Sequence, residues 1–257
     1  MSALDDARSK FAIHEACRQG QRTTPHFTAS ASTLADHDPV STVESLLSAN
    51  PKLASLRDDD DRLPLHWAVS YNHLPIVELL VQSKSFDADA PDGSGWTSLM
   101  MACSRKEADA IVSLLISKDA DVNAKNNNGQ TALHFCASKN NLDLARVLLK
   151  EKATARVKDK RGQLPLHRAA AVGSVPMIKE LLGPGKSPLN ATDMDGMTAL
   201  HHAIAEGHGD AALLLLTSGA EFDKRDSSDQ VALDLAPDEK TRKYILQAAE
   251  REGIDLI

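Results

Sequence analysis

Aromatic residues are nearly absent: they make up 4% of the 257 residues, with two Trp and two Tyr. A core cannot rest on ring packing, so Leu, Ala and Val must build it. Cysteine is almost as scarce. Cys17, Cys103 and Cys136 form no CxxC pair, and each falls near the Ala-rich end of a helix-forming segment, where a small buried side chain fits. A disulfide framework is thereby excluded and a reducing compartment expected. No apolar run approaches the ~20 residues of a membrane span, and the opening MSALDDARSK lacks the apolar centre of a signal peptide. Cytoplasmic and nuclear localisation is the expectation. Positive charge is also lacking: the net charge of -7 argues against a nucleic-acid partner, since phosphate binding needs a basic surface. The expected partner is a protein, bound by a chain that is monomeric when free.

Catalytic signatures are missing too. There is no GxxxxGK[ST], no GxGxxG after a strand, no GxSxG and no HExxH. The run Asp58-Asp59-Asp60-Asp61 lacks the alternating acids and the distal Glu of a calcium loop. His201, His202 and His208 cluster locally, but without a Cys or a well-spaced carboxylate to complete four zinc ligands. No enzyme activity, metal or cofactor is expected.

What the sequence does contain is a repeat. LPLH begins at Leu63, TSLM at Thr97, TALH at Thr131, LPLH at Leu164, TALH at Thr198 and VALD at Val231, at spacings of 33 or 34 residues. That is the period of stacked ankyrin-type units, and it predicts an all-α fold: a solenoid of seven helix-turn-helix repeats with short β-like turn fingers. The units cover approximately 1–57, 58–91, 92–125, 126–158, 159–192, 193–225 and 226–257, forming a single domain with a cap at each end. The first carries an insertion at 21–38, rich in Ser, Thr, Ala and His and without apolar period, which reads as a loop. Gly95, Gly129, Gly162 and Gly196 recur where a tight turn needs positive φ, and Asp61 and Asp229 stand there in the second and last units. Thr at a helix start caps free N–H groups, and Pro after it presets φ. His66, His134, His167 and His201 share one helical position, which suits bridging between units and not catalysis.

Function in such a fold lies on the concave face, made of turn tips and the exposed side of each first helix. Its expected partner-binding residues are Asp59, Asp60, Arg62 and Tyr71, then Asp92, Trp96 and Arg105, then Lys139, Lys160, Arg161, Arg168 and Met197. Ser138, Lys158, Gln163, Val172, Met194 and Glu206 occupy similar places. The expected surface changes from acidic in the second repeat to basic from Lys139 onward, a pattern that orients a partner and speeds association. Trp96 and Met197 are the expected apolar anchors, because large apolar groups on tips are typical of interface centres. Composition and pattern leave open a generic ankyrin adaptor or inhibitor of a kinase or transcription factor.

RLPLHWAVSYNHLPIVELL from Arg62, the pair Gly95-Trp96, ALHFCASKN from Ala132, LPLHRAAAVGSVPMIKELL from Leu164 and HHAIAEGHGDAALLLL from His201 together resemble the gankyrin-type ankyrin-repeat proteins. The resemblance spans nearly the whole chain outside the 21–38 insertion. It implies a non-catalytic chaperone for assembly of the proteasome regulatory particle base, binding the C-terminal helical domain of an AAA-ATPase subunit. The family's charged contacts match Asp60 with Arg62, and Lys139; a third acid has an approximate match in Asp92. The mammalian LxCxE sequence has no counterpart, since the chain reads His202-Ala203-Ile204-Ala205-Glu206 there.

Overall fold

Four of the first helices begin with one of two devices. Thr97 and Thr198 place Oγ1 at 3.4 Å from the N–H of Met100 and of His201, satisfying a donor that the first turn leaves free. Leu63 and Leu164 have no oxygen to offer, and Pro64 and Pro165 follow them, supplying a preset φ and no N–H to satisfy. Met100 is third into the helix that follows Thr97, but at the other three starts, and at Thr131, a His stands there and completes the start. Nδ1 of His66, His134, His167 and His201 accepts the N–H of Leu63, Thr131, Leu164 and Thr198 at 3.0, 3.1, 3.0 and 3.2 Å. That leaves the proton on Nε2, which donates to the carbonyls of Ala90, Gln163, Ala191 and Gln230 at 2.9, 3.1, 3.0 and 3.4 Å. One neutral ring thus ties a helix start to the chain entering or leaving the next turn, the bridging role expected of this position.

The computed structural model describes residues 12–19 and 38–256, which divide by contact into two compact units at Asn127/Asn128. Unit 1 contains α1 (12–19), α2 (Pro39–Ala49), a 3₁₀ turn (Pro51–Ser55), α3 (Pro64–Ser70), α4 (Leu74–Leu80), α5 (Ser98–Cys103) and α6 (Asp109–Ser117). First helices stack on first helices, α3 on α5, and second on second, α2 on α4 and α4 on α6. Unit 2 contains α7 (Ala132–Lys139), α8 (Leu142–Lys150), α9 (Pro165–Val172), α10 (Val175–Leu182), α11 (Ala199–Ala205), α12 (Gly209–Thr217), a 3₁₀ turn (Ala232–Leu235) and α13 (Glu239–Arg251). Here α7, α9, α11 and the 3₁₀ turn form one row, while α8, α10, α12 and α13 form the other. The turn fingers carry one isolated bridge among the described residues, Arg225 with Val231, and no longer strand pairing.

The core is aliphatic, as the shortage of aromatics requires. Ile76, Leu99 and Leu115 in unit 1, and Leu133, Leu144, Leu166 and Met177 in unit 2, are fully buried. Cys17, Cys103 and Cys136 are buried and free, and burial pushes the Cys17 thiol far above its ordinary range. The last unit replaces its first helix with the 3₁₀ turn before Pro237. Helix α13 then buries Ile245, Ala248 and Ala249 and turns a charged side outward, as a cap with no following repeat should. The insertion falls outside the described residues, except that Asp38 caps α2 by accepting the Ser41 N–H at 3.1 Å. Among the described residues no helix is long and apolar enough to cross a membrane.

Candidate partner-binding surface

The tips of the fingers are held by an acid that the sequence repeats. Asp58, Asp92, Asp159, Asp193 and Asp226 each direct Oδ1 at the backbone N–H groups two and four residues on, at 2.8–3.0 Å. The next residue but two, Gly95, Gly162 or Gly196 for example, then takes positive φ. Gly95 shows why a side chain is excluded: its φ is +78° and an added Cβ would stand 2.6 Å from Asn127 Oδ1. Asp61 and Asp229 adopt the same backbone at φ 58° and 64°, as expected of these positions. Neighbouring fingers are laced by their backbones. In unit 1 the N–H of Gly93 donates to Asp60 O and that of Asn127 to Ser94 O, both at 3.1 Å. In unit 2 Lys160 donates to Asn128 O at 2.8 Å, Met194 to Arg161 O at 2.9 Å and Ser227 to Asp195 O at 2.9 Å. The two residues at each tip are fixed in place by these bonds, and their side chains are left to vary.

The second carboxylate oxygen of the finger acid points inward and takes a brace. Asp58 Oδ2 accepts Trp67 Nε1–H at 2.7 Å, Asp159 Oδ2 accepts Arg168 Nη2–H at 2.8 Å, and Asp193 Oδ2 meets His202 Nε2 at 2.8 Å and Gln163 Nε2 at 3.1 Å. Asp92 Oδ2 accepts Arg62 Nε–H at 3.2 Å. Burial pushes the carboxyls of Asp58, Asp159 and Asp193 up, but these donors outweigh it and hold all three below the usual carboxylate range. Trp67 in turn meets two cations, with the Arg18 guanidinium 3.8 Å and the Arg62 guanidinium 4.8 Å from its ring centroid.

Against this geometry the expected site residues separate. Asp59, Asp60, Tyr71 and Arg105 in unit 1 are exposed, as are Lys139, Lys160 and Arg161 in unit 2. Tyr71 is 48% exposed, and its ring stacks at 6.3 Å from that of Trp67 and 6.1 Å from that of His73. Lys158 gives its Nζ to Thr192 O at 2.6 Å. Asp92, by contrast, is 5% exposed, and its carboxylate accepts the Ser94 and Trp96 N–H groups and pairs with Arg62, so it braces a finger. Arg62 and Arg168 are half-buried and spend their guanidinium groups on Asp92 and Asp159. Gln163, placed at a similar surface position, is buried. Trp96 and Met197, the expected anchors, are half-buried, whereas Met194, three residues earlier, is 75% exposed.

The comparisons with known proteins agree with the architecture. A family model described as ankyrin repeats in three copies matches residues 26–126, 84–160, 107–190 and 151–226. A Saccharomyces cerevisiae protein named probable 26S proteasome regulatory subunit p28 is 42% identical over 209 residues, 79% of this chain and 91% of its own length. The chain belongs to the ankyrin-repeat family, in the gankyrin-type branch that this yeast protein represents. A Schizosaccharomyces pombe ankyrin repeat-containing protein, C6C3.08, is 34% identical over 85% of this chain and 94% of its own. The ankyrin repeat domain of Bcl-3, at 24% identity and a TM-score of 0.68 over 91% of this chain and 97% of that one, shows the same fold.

Ankyrin repeats are protein–protein interaction modules, and their families are typically non-catalytic. In this member the tips read Asp59-Asp60, Gly93-Ser94 and Asn127 in unit 1, then Asn128, Lys160-Arg161, Met194-Asp195 and Ser227-Ser228 in unit 2. Sequence reading found the tips from the turn Gly but gave no task to the acid that opens each finger. Its recurrence at Asp58, Asp92, Asp159, Asp193 and Asp226, with Asn126 at the equivalent place of the fourth finger, is the signal, since a scaffold residue has reason to return from unit to unit. The braces nine residues on, Trp67, Arg168 and His202, share no chemistry beyond an inward N–H donor, so no common residue type marks them.

Proposed function

We propose that this protein is a non-catalytic chaperone for assembly of the proteasome regulatory particle base, and that it binds the C-terminal helical domain of an AAA-ATPase subunit. The observation that carries the reading is 42% identity, over nine-tenths of its length, to a yeast protein named as a probable proteasome regulatory subunit. The surface is consistent with such a task. Unit 1 offers the exposed acids Asp59 and Asp60, and unit 2 the exposed cations Lys139, Lys160 and Arg161. Each is suited to residues of opposite charge on a partner, and each tip is rigid enough that little order need be gained on binding. The protein works in cytoplasm and nucleus, wherever the base is assembled; a fluorescent fusion confined to another compartment would contradict that. Affinity capture from lysate at low salt, read by mass spectrometry, tests the function itself. Recovery of a proteasomal ATPase subunit is the expected result, while capture of only a kinase or transcription factor would replace the reading with a generic ankyrin adaptor.

A further inference from the structure

Met194 has no structural task that accounts for its exposure. Its backbone N–H makes the finger-to-finger bond to Arg161 O, but Gly93, Asn127 and Ser227 make the same bond with quite different side chains. Every other residue at the described tips is Asp, Gly, Asn, Ser, Lys or Arg, so among the described residues this is the one apolar side chain placed at a tip, and it is 75% exposed. Its neighbours are charged. The preceding finger presents Lys160 and Arg161, both exposed, and Arg161 Nη2 reaches only to 4.0 Å from Asp195 Oδ2, a loose surface pair that gives up its partner cheaply. The backbone bridge of 2.9 Å fixes the methionine beside these cations.

We infer that Met194 is the apolar anchor of unit 2's binding surface, and that it meets a partner helix carrying an aliphatic or aromatic residue one turn from a carboxylate. The carboxylate pairs with Lys160 or Arg161, and the apolar residue covers the thioether, whose unbranched, polarizable chain adapts to such contacts. The charge complementarity selects an acidic helix over a basic one. The inference rests on the proposed function, because the partner whose helix is meant is the C-terminal helical domain of the ATPase.

The test is calorimetric titration of the intact protein with the purified C-terminal domain of a proteasomal ATPase subunit, using Met194→Ala, Met194→Leu and a control away from the tips, Ser113→Ala, at an exposed position of α6. Expected are affinities weakened about tenfold by Met194→Ala, largely kept by Met194→Leu, and unchanged by Ser113→Ala. Thermal midpoints should be equal in all four proteins, since the side chain is exposed. Binding by the wild type with Met194→Ala within twofold of it overturns the anchor and leaves the proposed function standing. Absence of wild-type binding to every ATPase domain overturns both.

Discussion

At the scale of residues, the surface acids and the finger acids look alike in sequence and differ entirely in environment. Asp60 is exposed at a tip, while Asp159 is buried, caps two backbone N–H groups and holds Arg168. Asp159→Ala should lower stability by ~2–4 kcal/mol, because it frees two donors and leaves a half-buried guanidinium without its acceptor. Asp60→Ala should stay within ~0.5 kcal/mol, and urea denaturation of the two variants distinguishes them. The same contrast governs charge reversal. Arg62→Glu sets a carboxylate against buried Asp92 and should cost ~2–4 kcal/mol, whereas Lys139→Glu should leave the urea midpoint in place and weaken partner binding alone. Turn chemistry gives an opposite sign at one site. Asp229 sits at φ 64°, its ion pair with Arg225 is exposed, and the Arg225 bond goes to its backbone carbonyl. Asp229→Gly should therefore be neutral or stabilising by up to ~1 kcal/mol, a small shift readable in the thermal midpoint.

At the scale of elements, the His at the third position of α3, α7, α9 and α11 couples helix starts to fingers only while it is neutral. Burial pushes His66, His167 and His201 down, and His167, which also faces the charge of His202, falls to about 4. Carboxylates oppose this, since Asp92 faces His66, and Asp193 faces His167 and His201. The folded ring thus binds its proton later than the unfolded one as pH drops. Its stability contribution is complete above pH ~6.5 and is lost between there and about 4, by ~3 kcal/mol for His167 alone. Urea midpoints measured from pH 7.5 downward should fall over that window, and His167→Asn should flatten the slope; a profile level to pH 5 would contradict the account. Much of this scale is legible in the sequence. Period, helix starts, turn positions and the scaffold role of the histidines follow from spacing, because each is enforced once per repeat. Asp92, Arg168 and Gln163 were not legible as internal braces. Their burial depends on which way a carboxylate's second oxygen faces, and that is decided by packing between neighbouring fingers, with no trace in local pattern. Met194 and Met197 differ in exposure for the same reason: three residues apart on one turn, one is 75% exposed and the other half-buried according to where the finger carries them.

At the scale of the whole molecule, scaffold and recognition are separated by position within the repeat. The residues that recur hold helices and fingers, and the exposed tip residues that do not recur include Asp59 and Asp60 in unit 1 and Lys160, Arg161, Met194 and Asp195 in unit 2. Charge at exposed tips contributes to encounter more than to final affinity, so association should slow as salt rises while dissociation changes less. The most direct measurement of the central claim is calorimetric titration of the purified protein with the purified C-terminal helical domain of each proteasomal ATPase subunit, at low and at high salt. The account predicts saturable one-to-one binding to one of these domains, weakened by salt and by Lys139→Glu. Heat indistinguishable from dilution for every domain at low salt would contradict it.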